Sequence, residues 1–127
     1  MRCAGRMKRN RIFVIALALT LIALWLVAAP PRWWLNLTKQ VEVNDKTGAM
    51  LVDKYECRNC HRIDGRGALK AVELDGVTRG TMDDAIRLWL REPQTAKNNT
   101  SMPNFDLSDS EIEAILVYLK AVDQRSP

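Results

Sequence analysis

Histidine occurs once in this 127-residue sequence, at position 61, and cysteine occurs only three times. That scarcity excludes most metal chemistry built from side chains alone. A structural zinc site takes four nitrogen or sulfur ligands, and Cys3 stands far from Cys57 and Cys60, before a hydrophobic run. Acidic residues are missing from the first eleven positions, which hold Arg2, Arg6, Lys8, Arg9 and Arg11. Charge of either sign is missing from residues 12–29. What is left for residues 32–127 is 14 Lys/Arg against 15 Asp/Glu, a balance of −1, so the formal +4 of the whole chain belongs to its N-terminus. A nucleic-acid-binding protein concentrates positive charge on its folded part, and no nucleic-acid partner is expected.

What is there is the run Cys57-Arg58-Asn59-Cys60-His61. Two thiols three positions apart followed at once by an imidazole form the attachment pattern of c-type haem. The two cysteines can form thioethers to the two vinyl groups on one porphyrin edge. The adjacent histidine then lies beneath the iron, with Nε2 as proximal ligand. A redox dithiol or half of a zinc site is the competing reading of a CxxC pair, and the following histidine favours haem.

Residues 12–29 as a helix would extend about 27 Å, enough to cross the hydrocarbon core of a bilayer. Trp25, Trp33 and Trp34 lie toward the far end, where aromatic belts form, and Arg32 closes the apolar segment. The basic cluster predicts a cytoplasmic N-terminus, with the residues after 32 on the opposite side. A cleaved signal peptide is the alternative, since the n-region is basic and Ala28-Ala29 offers small residues. The length of the apolar run and Pro30 favour an uncleaved anchor. Four parts are therefore expected: a basic N-terminus (1–11), an anchor (12–31), a juxtamembrane linker (32–45) and a small domain (46–127).

The small domain reads as all-α and loop-rich. Asn44 or Asp45 could cap a first helix that places Met50, Leu51, Lys54 and Tyr55 close together, with Val52 at the flank, and runs into the Cys57–His61 motif. Gly48, costly inside a helix, marks close helix–helix contact. Asp64-Gly65-Arg66-Gly67 forces a turn, and the sparse pattern from Ala68 to Gly80 suggests loop around a ligand. Thr81 reads as a cap with Asp84 at the capping-box position, before an apolar face of Ala85, Ile86, Trp89 and Leu90 ended by Pro93. In the last helix Ser108 caps, Glu111 closes the box and Leu107 staples onto Ile112. Ile112, Ile115, Leu116 and Leu119 then repeat on one face, with Tyr118 beside them.

With His61 spent, the strong ligands left for a sixth iron position are Met50, Met82 and Met102. The first two fall in expected helices, where a methionine is ordinarily core. Met102 precedes Pro103 in a polar loop with no helix-packing role. Pro103 biases it toward an extended backbone, and Asn98–Ser101 supply short polar groups to hold the loop.

Residues 46–123 resemble a class I, mono-haem cytochrome c domain. The likeness rests on Cys57-x-x-Cys60-His61 near the end of a first helix, on Met102-Pro103, and on an amphipathic final helix carrying Tyr118 and Leu119. It implies one covalent haem c with His61 and Met102 as axial ligands, and a crossing of first and last helices. It also gives Gly48 and Gly67 close-packing and turn roles, and places Trp89 beside the cofactor. The family's usual proline after the glycine turn is replaced by Ala68-Leu69, so a backbone carbonyl within 65–70 is expected to orient His61.

Two axial ligands leave the iron no open position, which implies outer-sphere electron transfer rather than catalysis by this chain alone. The expected function is a membrane-anchored electron carrier or a subunit of a respiratory or photosynthetic complex. The expected setting is the bacterial inner membrane, with the haem domain on the periplasmic side. Its partner would be a membrane-embedded redox complex or a small soluble redox protein. A small haem enzyme such as a peroxidase, or a haem domain with only a docking role, are the rival readings. Lys54, Arg58, Arg62 and Arg66, recurring every four residues, suggest a basic stripe that could steer a partner.

Overall fold

The computed structural model describes residues 3–125, with side chains described from residue 10 onward. The Cys3 thiol and the basic side chains of Arg2, Arg6, Lys8 and Arg9 lie outside the described residues. The chain divides into two compact units, residues 1–34 and 35–127. Every element among the described residues is helical; the one β feature is an isolated bridge between Ile63 and Arg66.

Helix α1 spans Cys3–Ala28, and its Asn10–Ala28 portion is long and apolar enough to cross a membrane. The large apolar side chains of that portion are exposed. Thr20, the polar interruption, turns its hydroxyl back to the carbonyls of Ala16 (3.1 Å) and Leu17 (2.8 Å). Its hydrogen-bonding capacity is thereby met inside the helix, as lipid requires.

Helix α2 (Arg32–Thr38) occupies the first half of the juxtamembrane linker expected over 32–45. Leu35 is buried, while Trp33, Trp34 and Leu37 are exposed. The helix therefore has an apolar outer face, and its sequence shows no one-sided period to announce it.

Helix α3 (Asp45–Lys54) is capped by Asn44, whose side chain accepts from the Thr47 N–H at 2.7 Å. It crosses the long final helix α7 (Asp109–Arg125) at Gly48. A Cβ at Gly48 would stand 2.5 Å from Tyr118 Cβ and overlap the Ala114 carbonyl, so only glycine allows the two backbones to approach this closely. That contact sets which face of α3 is inside: Leu51 and Val52 are buried, and Met50 points out at 56% exposure. Met50 is thus not the core residue expected.

Helix α7 forms as its sequence dictates. Ser108 Oγ accepts from the Glu111 N–H (3.2 Å), and Glu111 Oε2 accepts from the Ser108 N–H (3.0 Å). Leu107, Ile112, Ile115, Leu116, Leu119 and Val122 then form the centre of the core with Leu51, Val52, Ile63 and Ile86.

The remaining elements are short: α4 (Val77–Gly80), α5 (Asp83–Arg91) and α6 (Pro93–Ala96). Met82, in extended conformation, occupies the N-cap position of α5, and Thr81 does not cap it; Met82 is 79% exposed, again not core. Ion pairs bind α5 to α7: Arg87 to Glu113 (2.6 Å), Lys120 to Asp83 (2.5 Å) and Arg91 to Asp109 (2.9 Å). Near the end of α7 the buried Asp123 carboxylate accepts from the N–H groups of Gly76 (2.6 Å) and Thr78 (2.8 Å), fixing the start of α4.

Candidate haem-binding site

The first helix of the small domain does not run into the motif. Helix α3 stops at Lys54, and Glu56 takes a left-handed conformation (φ 53°) that turns the chain out of the helix. Cys57–Asn59 follow as a 3-10 turn. The Cys57 carbonyl accepts from the N–H groups of both Cys60 (3.3 Å) and His61 (2.9 Å), so the two thiols and the imidazole share a single turn of chain. Both thiols are free. Cys60 is exposed; Cys57 is half-buried, and burial pushes its thiol above the ordinary range against the pull of the Arg58 charge.

The following loop is sutured onto this turn. Ala68 N–H donates to the Arg58 carbonyl (2.9 Å), those of Lys70 and Ala71 to the Cys60 carbonyl (3.1 and 3.0 Å), and that of Leu74 to the Arg62 carbonyl (3.0 Å). Positive φ at Asp64 (59°), Gly65 (67°) and Gly67 (109°) brings the chain around. At Gly67 a Cβ would also press on the His61 and Arg58 carbonyls. The Asp75 carboxylate closes the base by accepting from the Asp64 (2.5 Å) and Gly65 (3.0 Å) N–H groups.

His61 Nδ1 lies 2.6 Å from the Val72 carbonyl oxygen. The acceptor falls outside the expected window of 65–70. Lys70 and Ala71 commit their N–H groups to Cys60, which brings the carbonyl of Val72 to the imidazole. A carbonyl can only accept, so Nδ1 carries the proton and the Nε2 lone pair is left for a metal.

Met102 lies in the irregular segment between α6 and α7 and is half-buried. Its N–H donates to Thr100 Oγ1 (3.3 Å), while Gln94 Nε2 donates to the carbonyls of Thr100 (2.9 Å) and Met102 (3.4 Å). Of the polar run expected to hold this loop, Thr100 does so. Gln94 is a holder that sequence reading missed.

The basic stripe is not carried by one helix. The break at Glu56 takes Arg58, Arg62 and Arg66 off any common helix, and each cation meets a local acid. Lys54 pairs with Glu111 (3.4 Å), Arg62 with Glu73 (3.5 Å), Arg66 with Asp64 (3.7 Å) and Arg58 with Asp53. Arg58 also donates to Tyr118 OH (2.8 Å), clamping the motif to α7. Of the acids at the start of α7, Glu111 is buried and also accepts from Tyr55 OH (2.8 Å).

These residues fit a covalent haem. Two free thiols and an imidazole whose Nδ1 faces a backbone carbonyl share one turn. On the loop bonded to that turn, the large apolar side chains of Leu69 and Val72 are exposed, as side chains that a porphyrin face covers would be.

An all-helical unit with this turn, this imidazole and a crossing of first and last helices is a c-type cytochrome domain. The model of the Cytochrome c family matches residues 46–123, and the chain belongs to that family, whose covalently bound haem c with its iron is this chain's cofactor. Among curated proteins it is 31% identical to the C subunit of nitric oxide reductase from Cereibacter sphaeroides, over 61% of this chain and 58% of that protein. It is 27% identical to the protein of the same name from Stutzerimonas stutzeri, over 90% of this chain and 84% of that protein. It is 25% identical to cytochrome c oxidase subunit 2 of Alkalihalophilus pseudofirmus over 71% of this chain, which spans only 30% of that longer protein.

Proposed function

We propose that this chain is a membrane-anchored electron carrier that serves as the c-type cytochrome subunit of a membrane respiratory complex. The observation that carries the reading is the His61–Val72 contact within the cysteine turn, because it fixes the imidazole tautomer that an iron ligand needs. Cys57 and Cys60 hold the cofactor covalently, and His61 is the proximal ligand. Met102, on a loop pinned by Gln94 and Thr100, is the distal ligand. Bound haem supplies an iron that gains or loses one electron. A thioether favours the reduced state more than a second imidazole would, and two protein ligands deny oxygen or peroxide an open position.

The Asn10–Ala28 helix anchors the chain, with its basic N-terminus in the cytoplasm and the haem unit on the periplasmic face of the inner membrane. Assembly into a complex is supported by relatives that are themselves named as oxidase and reductase subunits. The likeness to the Stutzerimonas protein reaches well beyond residues 46–123, over 90% of this chain.

Purification of the full chain from its native membrane in mild detergent tests the reading. Co-purification of a larger membrane redox protein, and oxidation of the reduced haem when that complex turns over, are the expected results. A chain that purifies alone, or whose haem stays reduced during turnover, overturns it. A cyanide-sensitive spectrum at low cyanide would point instead to an open iron and a peroxidase-like enzyme.

A further inference from the structure

The segment that carries Met102 is held at both ends, and its far end is held by residues that precede the matched stretch 46–123. Before Met102, Thr100 and Gln94 fix the chain. After it, Pro103–Leu107 run without regular structure into α7, with Asp106 in a left-handed conformation (φ 48°).

That far end is met by residues 36–41. Lys39 Nζ donates to the Asp106 carbonyl at 2.9 Å, and the Lys39 carbonyl accepts from Ser108 Oγ at 2.7 Å. Asn36 Oδ1 accepts from the Asp109 N–H (2.8 Å), and Asn36 Nδ2 donates to the Asp109 carboxylate (2.5 Å). The Val41 N–H donates to Ser110 Oγ (3.1 Å). A helix start leaves its first N–H groups without intrahelical partners, and here residue 36 supplies one from outside. Leu35 is buried at the head of this strap.

We infer that the strap of residues 35–41 positions the distal ligand, with Lys39 as its principal positioning residue. By fixing Asp106 and the first turn of α7, it limits how far the chain bearing Met102 can move from the iron. The same strap follows the membrane-spanning helix in sequence, so the segment that leads from the anchor is also a determinant of haem coordination. The inference rests on Met102 being the distal ligand.

The test uses the full, haem-loaded chain in detergent. Imidazole, added to the oxidised protein, competes with the Met102 thioether for iron, so its apparent affinity reports how firmly that segment is held. A net hydrogen bond corresponds to about a 3- to 10-fold change in such an equilibrium. Lys39→Met and Asn36→Ala should each bind imidazole tighter by about that factor. Lys39→Arg should restore wild-type affinity, and Lys46→Met, on the exposed side of α3, should change nothing. A Lys39→Met protein that melts lower yet binds imidazole as wild type does overturns the inference and leaves the strap a purely structural element. Should Lys39→Met fail to load haem, Asn36→Ala decides on the same criterion. Met102→Ala separates the two levels: if it binds imidazole no more tightly than wild type, the distal-ligand reading itself has failed.

Discussion

The imidazole of His61 donates from Nδ1 to the main-chain carbonyl of Val72, 2.6 Å away. Because the acceptor is backbone, the side chain of Val72 is not what orients the imidazole. Val72→Ala should therefore load haem and keep the wild-type low-spin absorption spectrum. His61→Ala should lose the low-spin spectrum.

Covalent attachment should require the thiols of the turn. Haem should remain on the polypeptide through denaturing electrophoresis in wild type. The double variant Cys57→Ala, Cys60→Ala should lose haem staining, while the unmodified cofactor becomes extractable with acid acetone.

The thioether assignment is tested spectroscopically. The oxidised protein should show a weak sulfur-to-iron charge-transfer band at the red end of the visible spectrum. Met102→Ala should abolish it, and Met50→Ala should not, since that side chain is 56% exposed on the outer face of α3. Met102→His should keep six-coordinate iron and lower the potential, because imidazole stabilises the oxidised metal more than a thioether does.

Gly48 leaves no room for a methyl group between α3 and α7. Gly48→Ala should destabilise the unit by about 1–3 kcal/mol through forced separation of the helices. For a domain of this size that corresponds to a fall in Tm of several degrees, measurable by thermal unfolding.

Tyr55 is held neutral, its pKa raised first by burial and then by its hydrogen bond to Glu111. An unfolded tyrosine ionises near pH 10, below the folded value. The stabilisation is therefore complete below about pH 10 and is lost as pH rises toward the folded pKa. Unfolding free energy measured by denaturant titration should decline above about pH 10, and the decline should be shallower in Tyr55→Phe.

Local signals carried much of this architecture into the sequence. Ser108 and Glu111 are three residues apart, so the start of α7 needed no knowledge of tertiary structure. Cys57, Cys60 and His61 likewise form their turn from contiguous residues, and Gly48 announced the crossing by its cost inside a helix. The Val72 carbonyl left no trace because every residue has one. Glu56 ended α3 through a left-handed backbone that glutamate does not advertise, and with it went the apparent stripe of Lys54, Arg58, Arg62 and Arg66. Met82 replaced Thr81 at the start of α5 because the preceding turn of α4 ends by bonding the Thr81 N–H to the Val77 carbonyl (3.0 Å). Helix α2 was hidden because its apolar side chains are divided between buried Leu35 and exposed Trp33, Trp34 and Leu37.

The crossing of α3 with α7 also imposes an order of events during biogenesis. The partners of Leu51 and Val52 lie at the far end of the polypeptide, and pairing of such distant segments must wait for the intervening chain. Synthesis delivers residues from the N-terminus onward, so Cys57–His61 emerge well before Ile112–Leu119. Until the last helix is available the core that half-buries Cys57 is incomplete, so that thiol stays open. The half-burial of Cys57 is thus a property of the completed unit, acquired only once residues some fifty positions later have joined the core, whereas the turn it belongs to closes on bonds between neighbours in sequence.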